Sequence, residues 1–178
     1  SSQTQEAFDR DERGLALAHT AGPATASRAP RHFGRLTVHG LPISVESAAV
    51  GRPLHQVLAG RDSLRRRQKL VDAVAEWIVA MNVETADNAA LRTQAEGLGV
   101  VAETILPPEQ ATEVLERVLP LPGVLNHSDL GCWNIVTLGS EFTVLDWESA
   151  WRPGPPLWDL AYFLADSLPR LYGRLPGR

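Results

Sequence analysis

The chain has 178 residues, 44% of them hydrophobic and 21% charged, and carries a net charge of -4, which describes an ordinary globular protein of one domain or two small lobes and argues against a nucleic-acid or anionic-membrane partner. A single cysteine, Cys132, rules out an intramolecular disulfide framework and fits a reducing compartment. No apolar run approaches bilayer length and the polar start SSQTQEAFDRDER is unlike a signal peptide, so a cytoplasmic location is expected.

In chain order, Glu6 to Thr20 carries Phe8, Leu15 and Leu17 among acids and arginines and predicts a helix, against which Gly14 counts and which Gly22-Pro23 ends. Residues 25–35, rich in Ala, Arg and Pro, read as a loop. Leu36 to His39 and Ile43 to Glu46 predict two strands around a turn at Gly40-Leu41-Pro42. Between Ser63 and Met81, Leu64, Val71, Val74, Ile78 and Met81 recur at three- and four-residue steps, the stripe of a long helix with one buried face. Arg65, Arg66, Arg67 and Lys69 at its start oppose the helix dipole and read as a solvated face. Residues 84–104 are weakly patterned, helix or loop. After Pro107-Pro108, a further helix is expected over 109–119, with proline and acids at its start, ending at Leu121-Pro122-Gly123.

The stretch from Leu125 to Asp146, LNHSDLGCWNIVTLGSEFTVLD, holds the chemistry-bearing residues. Ile135 to Thr137 and Phe142 to Leu145 predict a hairpin turning at Gly139-Ser140, which returns Asp146 beside Asp129. Phosphoryl transfer uses these residue types: one Asp to orient the attacking hydroxyl and take its proton, and an Asn and a second Asp as hard oxygen ligands for magnesium. Read singly, Asn134 is a turn residue and Asp146 a cap; together with Asp129 they form a set. Cys132 is assigned to packing, since nothing nearby would lower its pKa. Trp133, Trp147, Trp151 and Trp158 crowd the region. Such a cluster suits core packing, and also the cation–π capture of a quaternary ammonium. An apolar helix over 157–168 follows, with Asp159 at its start.

The pattern His127-x-Asp129-x-x-x-x-Asn134, an apolar strand into Asp146-Trp147-Glu148, and the later Pro155-Pro156-Leu157-Trp158-Asp159-Leu160-Ala161 together resemble the aminoglycoside phosphotransferase and choline kinase-like family of the protein-kinase fold. The resemblance implies an α+β architecture. Residues 1–50 would be a partial small lobe of one helix and two strands, with a hinge near 46–50, and residues 51–178 a mostly helical large lobe with the catalytic hairpin. Gly51-Arg52-Pro53-Leu54 is similar to the family's first large-lobe residues.

It further implies ATP or GTP as phosphoryl donor, Mg2+ as cofactor, and a small-molecule alcohol such as an aminoglycoside, a sugar or choline as acceptor. Asp129 would be catalytic, His127 and Asp159 would support its loop, Asn134 and Asp146 would bind metal, Glu148 would approach metal or substrate, and the backbone at Glu46 and Ala48 would hold the nucleotide base. Glu12 or Glu6 would be the helix acid that pairs with a phosphate-contacting Lys, although from the residues alone both are surface acids.

The chain's only lysine, Lys69, stands in the wrong part of the sequence for that Lys, and the family's phosphate-covering loop should precede Glu6. Two expectations follow: that the parent protein has further small-lobe sequence upstream, with the tail LPRLYGRLPGR also cut short, or that this is a catalytically silent nucleotide-binding or regulatory module. A metal-dependent phosphohydrolase built on His127, Asp129 and Asp146 would need more His or acid ligands than lie nearby. The substrate-determining insertion would fall in 84–104.

Overall fold

The computed structural model describes residues 2–87, 104 and 106–173, and shows a mixed helical and stranded protein with three small antiparallel sheets. Helix α1 (Ser2–Ala21) ends at Gly22, and the short α2 (Pro23–Ala26) starts with Pro at its first position. Hairpin strands β1 (His32–Val38) and β2 (Leu41–Glu46) follow. Then come β3 (Arg52–Pro53), α3 (Leu54–Leu58), α4 (Leu64–Thr85) and α5 (Pro108–Val118). The last part runs β4 (Val124–Asn126), β5 (Ile135–Leu138), β6 (Glu141–Val144), β7 (Trp151–Gly154) and α6 (Trp158–Tyr172).

Two local expectations are corrected. The segment 25–35 is not a plain loop: α2 occupies its start and β1 begins at His32. The cause is a long-range cap. The Glu84 carboxylate, at the far end of α4, accepts the Ala24 N–H at 3.1 Å and the Thr25 N–H at 3.1 Å, satisfying amide groups that a four-residue helix leaves open. Trp77 adds its indole N–H to the Ala24 carbonyl at 3.0 Å. The β1–β2 turn lies one residue earlier than expected, with Val38 opposite Leu41, because His39 (φ 52°) and Gly40 (φ 79°) both adopt the left-handed region of a two-residue hairpin loop.

The long helix α4 carries the core. Its Leu70, Val71, Val74, Ile78 and Met81 are buried against Leu15 and Ala18 of α1, Leu54 and Leu58 of α3, and Phe163 and Leu171 of α6. Ser63 caps its start, accepting the Arg66 N–H, and Arg67 reaches back to the Leu58 carbonyl at 2.6 Å, so part of the basic run serves the α3–α4 corner. The substrate-pocket expectation for 84–104 lies almost wholly outside the described residues.

Strand β3 pairs with β5, and β5 with β6, in one sheet, while β4 pairs with β7 in another. The β5–β6 hairpin turns at Gly139-Ser140 as the sequence predicts, Leu138 facing Glu141. Gly51, at φ 139°, lets the chain pass so close to β5 that a Cβ there would lie 2.2 Å from the Thr137 carbonyl oxygen. Among the described residues no helix is long and apolar enough to cross a membrane.

Candidate active site

The loop 127–134 connects β4 to β5, and its shape is held from three sides. From α6, Asp159 sends both carboxylate oxygens to the loop backbone: Oδ2 accepts the His127 N–H at 2.6 Å and Oδ1 the Ser128 N–H at 2.9 Å. This sharp corner includes Ser128 at φ 71°. From the hairpin side, His127 Nε2 lies 2.8 Å from the Leu145 carbonyl. A carbonyl can only accept, so Nε2 carries the proton and Nδ1 is a bare lone pair, buried without a hydrogen-bond partner among the described residues. Burial pushes the imidazole pKa down, which keeps the ring neutral, and its edge-on contact with Trp147 (centroids 4.8 Å apart) explains the burial. His127 thus joins the loop to the residue just before Asp146.

The third hold is within the loop. The Asn134 side-chain amide donates to the Asp129 carbonyl at 2.9 Å and to Asp129 Oδ2 at 3.1 Å. With its nitrogen so committed, the atom of Asn134 that could meet a cation is Oδ1. Asp146 follows β6 with φ 62°, a left-handed turn that re-aims its carboxylate as the strand ends. That carboxyl is held above the ordinary carboxylate range, first by burial and then by the charge of Glu148, with Asp129 adding to the effect.

Helix α1 meets the same region. Asp11, rather than Glu12 or Glu6, faces it: its carboxyl is pushed up to about 7 by burial, by a hydrogen bond and charge from Glu46, and by the charges of Asp146 and Glu148. Glu12 instead joins Asp9 in binding Arg35, and Glu6 is exposed. Glu148 lies 3.6 Å from Arg10 of α1. The signal for Asp11 was present in the sequence as spacing: residues 11, 14, 15 and 18 share one helix face, and Gly14, Leu15 and Ala18 are buried. A Cβ on Gly14 would lie 1.8 Å from the Trp147 carbonyl oxygen, so the glycine that counts against a helix permits α1 to rest on the 146–148 segment.

A family model, the phosphotransferase enzyme family APH, matches residues 16–176. The chain belongs to that family. No curated protein matches it. As a phosphotransferase it places the predicted site residues in two groups. Asp129, Asn134, His127 and Asp159 form one hydrogen-bonded unit, to which Asp146 is tied through Leu145. Glu46, Glu148 and Asp146 share an acidic region with Asp11. Ala48 is exposed in a segment without regular structure, 47–50, where the Ser47 N–H is already taken by the Arg31 carbonyl at 2.8 Å.

Tyr162 was missed by sequence reasoning. Its hydroxyl donates to Asp129 Oδ1 at 3.0 Å, and its phenol pKa is raised by partial burial and by that bond. Of the four neighbouring tryptophans, Trp147 is wholly buried, whereas Trp133 and Trp158 keep roughly half of their surface exposed at 41% and 48%. Cys132 is buried and its thiol pKa is pushed up, first by burial, so it is no nucleophile.

Proposed function

We propose that this phosphotransferase moves the γ-phosphoryl group of ATP or GTP to a hydroxyl of a small molecule, of the aminoglycoside, sugar or choline kind, on a protein-kinase-like scaffold in the cytoplasm. The single observation that supports this best is the orientation of Asn134: one amide both steadies Asp129 and leaves an oxygen for a cation. In this reading Asp129 aligns the acceptor hydroxyl and takes its proton as the new O–P bond forms and the bond to the nucleotide's β-phosphate oxygen breaks.

The donor set suits magnesium. Among the described residues no three His, Cys, Asp or Glu side chains converge to enclose a metal. Magnesium in phosphoryl-transfer sites is held by one or two protein oxygens with substrate phosphates completing its shell, and in this reading Asn134 Oδ1 and the Asp146 carboxylate would supply those oxygens. The accumulated charge of Asp11, Glu46, Asp146 and Glu148 is what a divalent cation would relieve. When bound, magnesium neutralises charge on the nucleotide's phosphates. The backbone about Glu46 and Ala48 is the proposed contact for the nucleotide base, and Glu148 for metal or substrate.

The test is phosphoryl transfer from magnesium ATP or GTP to a panel of aminoglycosides, hexoses and choline. Asp129→Ala is expected to lower the rate by roughly 10²–10⁴, the usual worth of a positioned acid or base. An unchanged rate would sink the assignment. The second reading is a nucleotide-binding or regulatory module without turnover. It predicts magnesium-dependent nucleotide binding with no transfer to any acceptor.

A further inference from the structure

Asp129 is restrained through both of its carboxylate oxygens, and the two restraints come from different elements. Oδ2 is held by Asn134 within the loop, while Oδ1 is held by the Tyr162 hydroxyl from α6 at 3.0 Å. Tyr162 follows Asp159 by three residues, so both project from one face of α6. One helical turn therefore grips the loop twice, Asp159 at the backbone of 127 and 128 and Tyr162 at the carboxylate of 129.

Tyr162 is itself held. Its ring meets Trp133 edge-on, with centroids 6.3 Å apart and planes at 80°. The Trp133 indole in turn lies over Gly131, where an added Cβ would come within 2.4 Å of the ring. The glycine in the loop thus makes room for the indole that backs Tyr162. Asn134 alone would leave the carboxylate free to rotate about its last bond; a second, packed donor from a rigid helix removes that freedom.

From this geometry, resting on the phosphotransferase reading of Asp129, we infer that Tyr162 is the positioning residue that sets the direction of the Asp129 carboxylate toward the acceptor hydroxyl. It acts through Asp129 and has no contact of its own with the transferred group. Removing its hydroxyl leaves the aromatic packing against Trp133 in place, so the fold is kept while the aim of the carboxylate is lost. The charged groups that act on the Tyr162 hydroxyl are Asp129 and Asp166.

The experiment compares wild type, Tyr162→Phe and Asp129→Asn in two readouts. With magnesium ATP and whichever alcohol of the aminoglycoside, hexose and choline panel is phosphorylated, Tyr162→Phe is expected to lower kcat roughly tenfold with KM for magnesium ATP unchanged, as loss of orientation does. A merely structural role would instead lower thermal stability and leave kcat of the folded fraction alone. The second readout needs no turnover. The chain has two tyrosines, Tyr162 and Tyr172, so [13Cζ]tyrosine labelling yields two resonances, which Tyr162→Phe assigns. The Tyr162 resonance is expected to move in Asp129→Asn while that of Tyr172 stays in place.

A Tyr162 resonance indifferent to Asp129→Asn, or a wild-type kcat in Tyr162→Phe alongside an inactive Asp129→Ala, overturns the inference and leaves the phosphotransferase reading standing. Absence of transfer to every alcohol overturns that reading and the positioning role together, and the resonance then decides only the contact.

Discussion

Asp159 Oδ2 accepts the backbone N–H of His127 at 2.6 Å, and both residues are completely buried. With Ser128 on Oδ1, one side chain on α6 satisfies two consecutive amides of the loop that carries Asp129. Asp159→Asn keeps the shape but replaces one acceptor with an NH2 group facing a buried N–H. The expected cost is about 1–3 kcal/mol, the price of an unsatisfied buried donor. Urea denaturation should show a lower midpoint with the slope unchanged, and transfer activity should fall in the folded protein. A midpoint equal to wild type would mean that the loop does not depend on this residue.

Gly14 sits inside α1, where alanine is intrinsically better by roughly 1 kcal/mol. Helix propensity thus predicts that Gly14→Ala stabilises. Packing predicts the reverse, because the added carbon would meet the Trp147 carbonyl at 1.8 Å, a backbone atom that cannot step aside as a flexible side chain would. Overpacking of this kind costs about 1–3 kcal/mol, so a net loss of stability is expected. Thermal unfolding of the variant checks it, and a raised midpoint would show that α1 does not rest on the 146–148 segment.

Asp11 sets a pH dependence whose sign follows from its raised pKa. Unfolded, the group ionises near 3.9; folded, near 7, first because of burial and then because of Glu46. Between those values the native state holds a proton that the unfolded chain has released, so this group's contribution to stability falls as pH rises from about 4 to about 7, then levels off. Asp11→Asn lacks that fall. Wild type should lose stability relative to the variant across the window by on the order of 1 kcal/mol, once solvent screening of a half-buried carboxylate is allowed for. Chemical denaturation of both proteins at pH 4.5, 6 and 8 measures the difference, and parallel curves would remove Asp11 from the acidic region.

The long helices α1, α4, α5 and α6 and the β5–β6 hairpin were legible because their signals are local, whereas the short α3 (Leu54–Leu58) had no such signal. The stripe of Leu70, Val71, Val74, Ile78 and Met81 needs only a 3.6-residue period, and Gly139-Ser140 between two apolar runs needs only turn chemistry. The same is true of the loop residues His127, Asp129 and Asn134, five residues from Asp to Asn. The start of β1 and the helix α2 were not legible, because the group that stabilises that corner, Glu84, comes from 59 or 60 residues away. Propensity at 24 and 25 carries no trace of it.

Sequence by itself therefore determined which residue types this protein brings to its candidate site, their order, and the family to which the pattern belongs. Tertiary structure alone decided how they are aimed. That Asp11 rather than Glu12 faces Asp146, that His127 spends its one N–H on Leu145, and that Tyr162 takes the second oxygen of Asp129 all depend on contacts between separate elements. The physical reason is that a hydrogen bond or a charge pair is set by distance and direction in space. The chain's local pattern specifies a helix face or a turn, and only packing around α4 and α6 brings those faces and turns against one another.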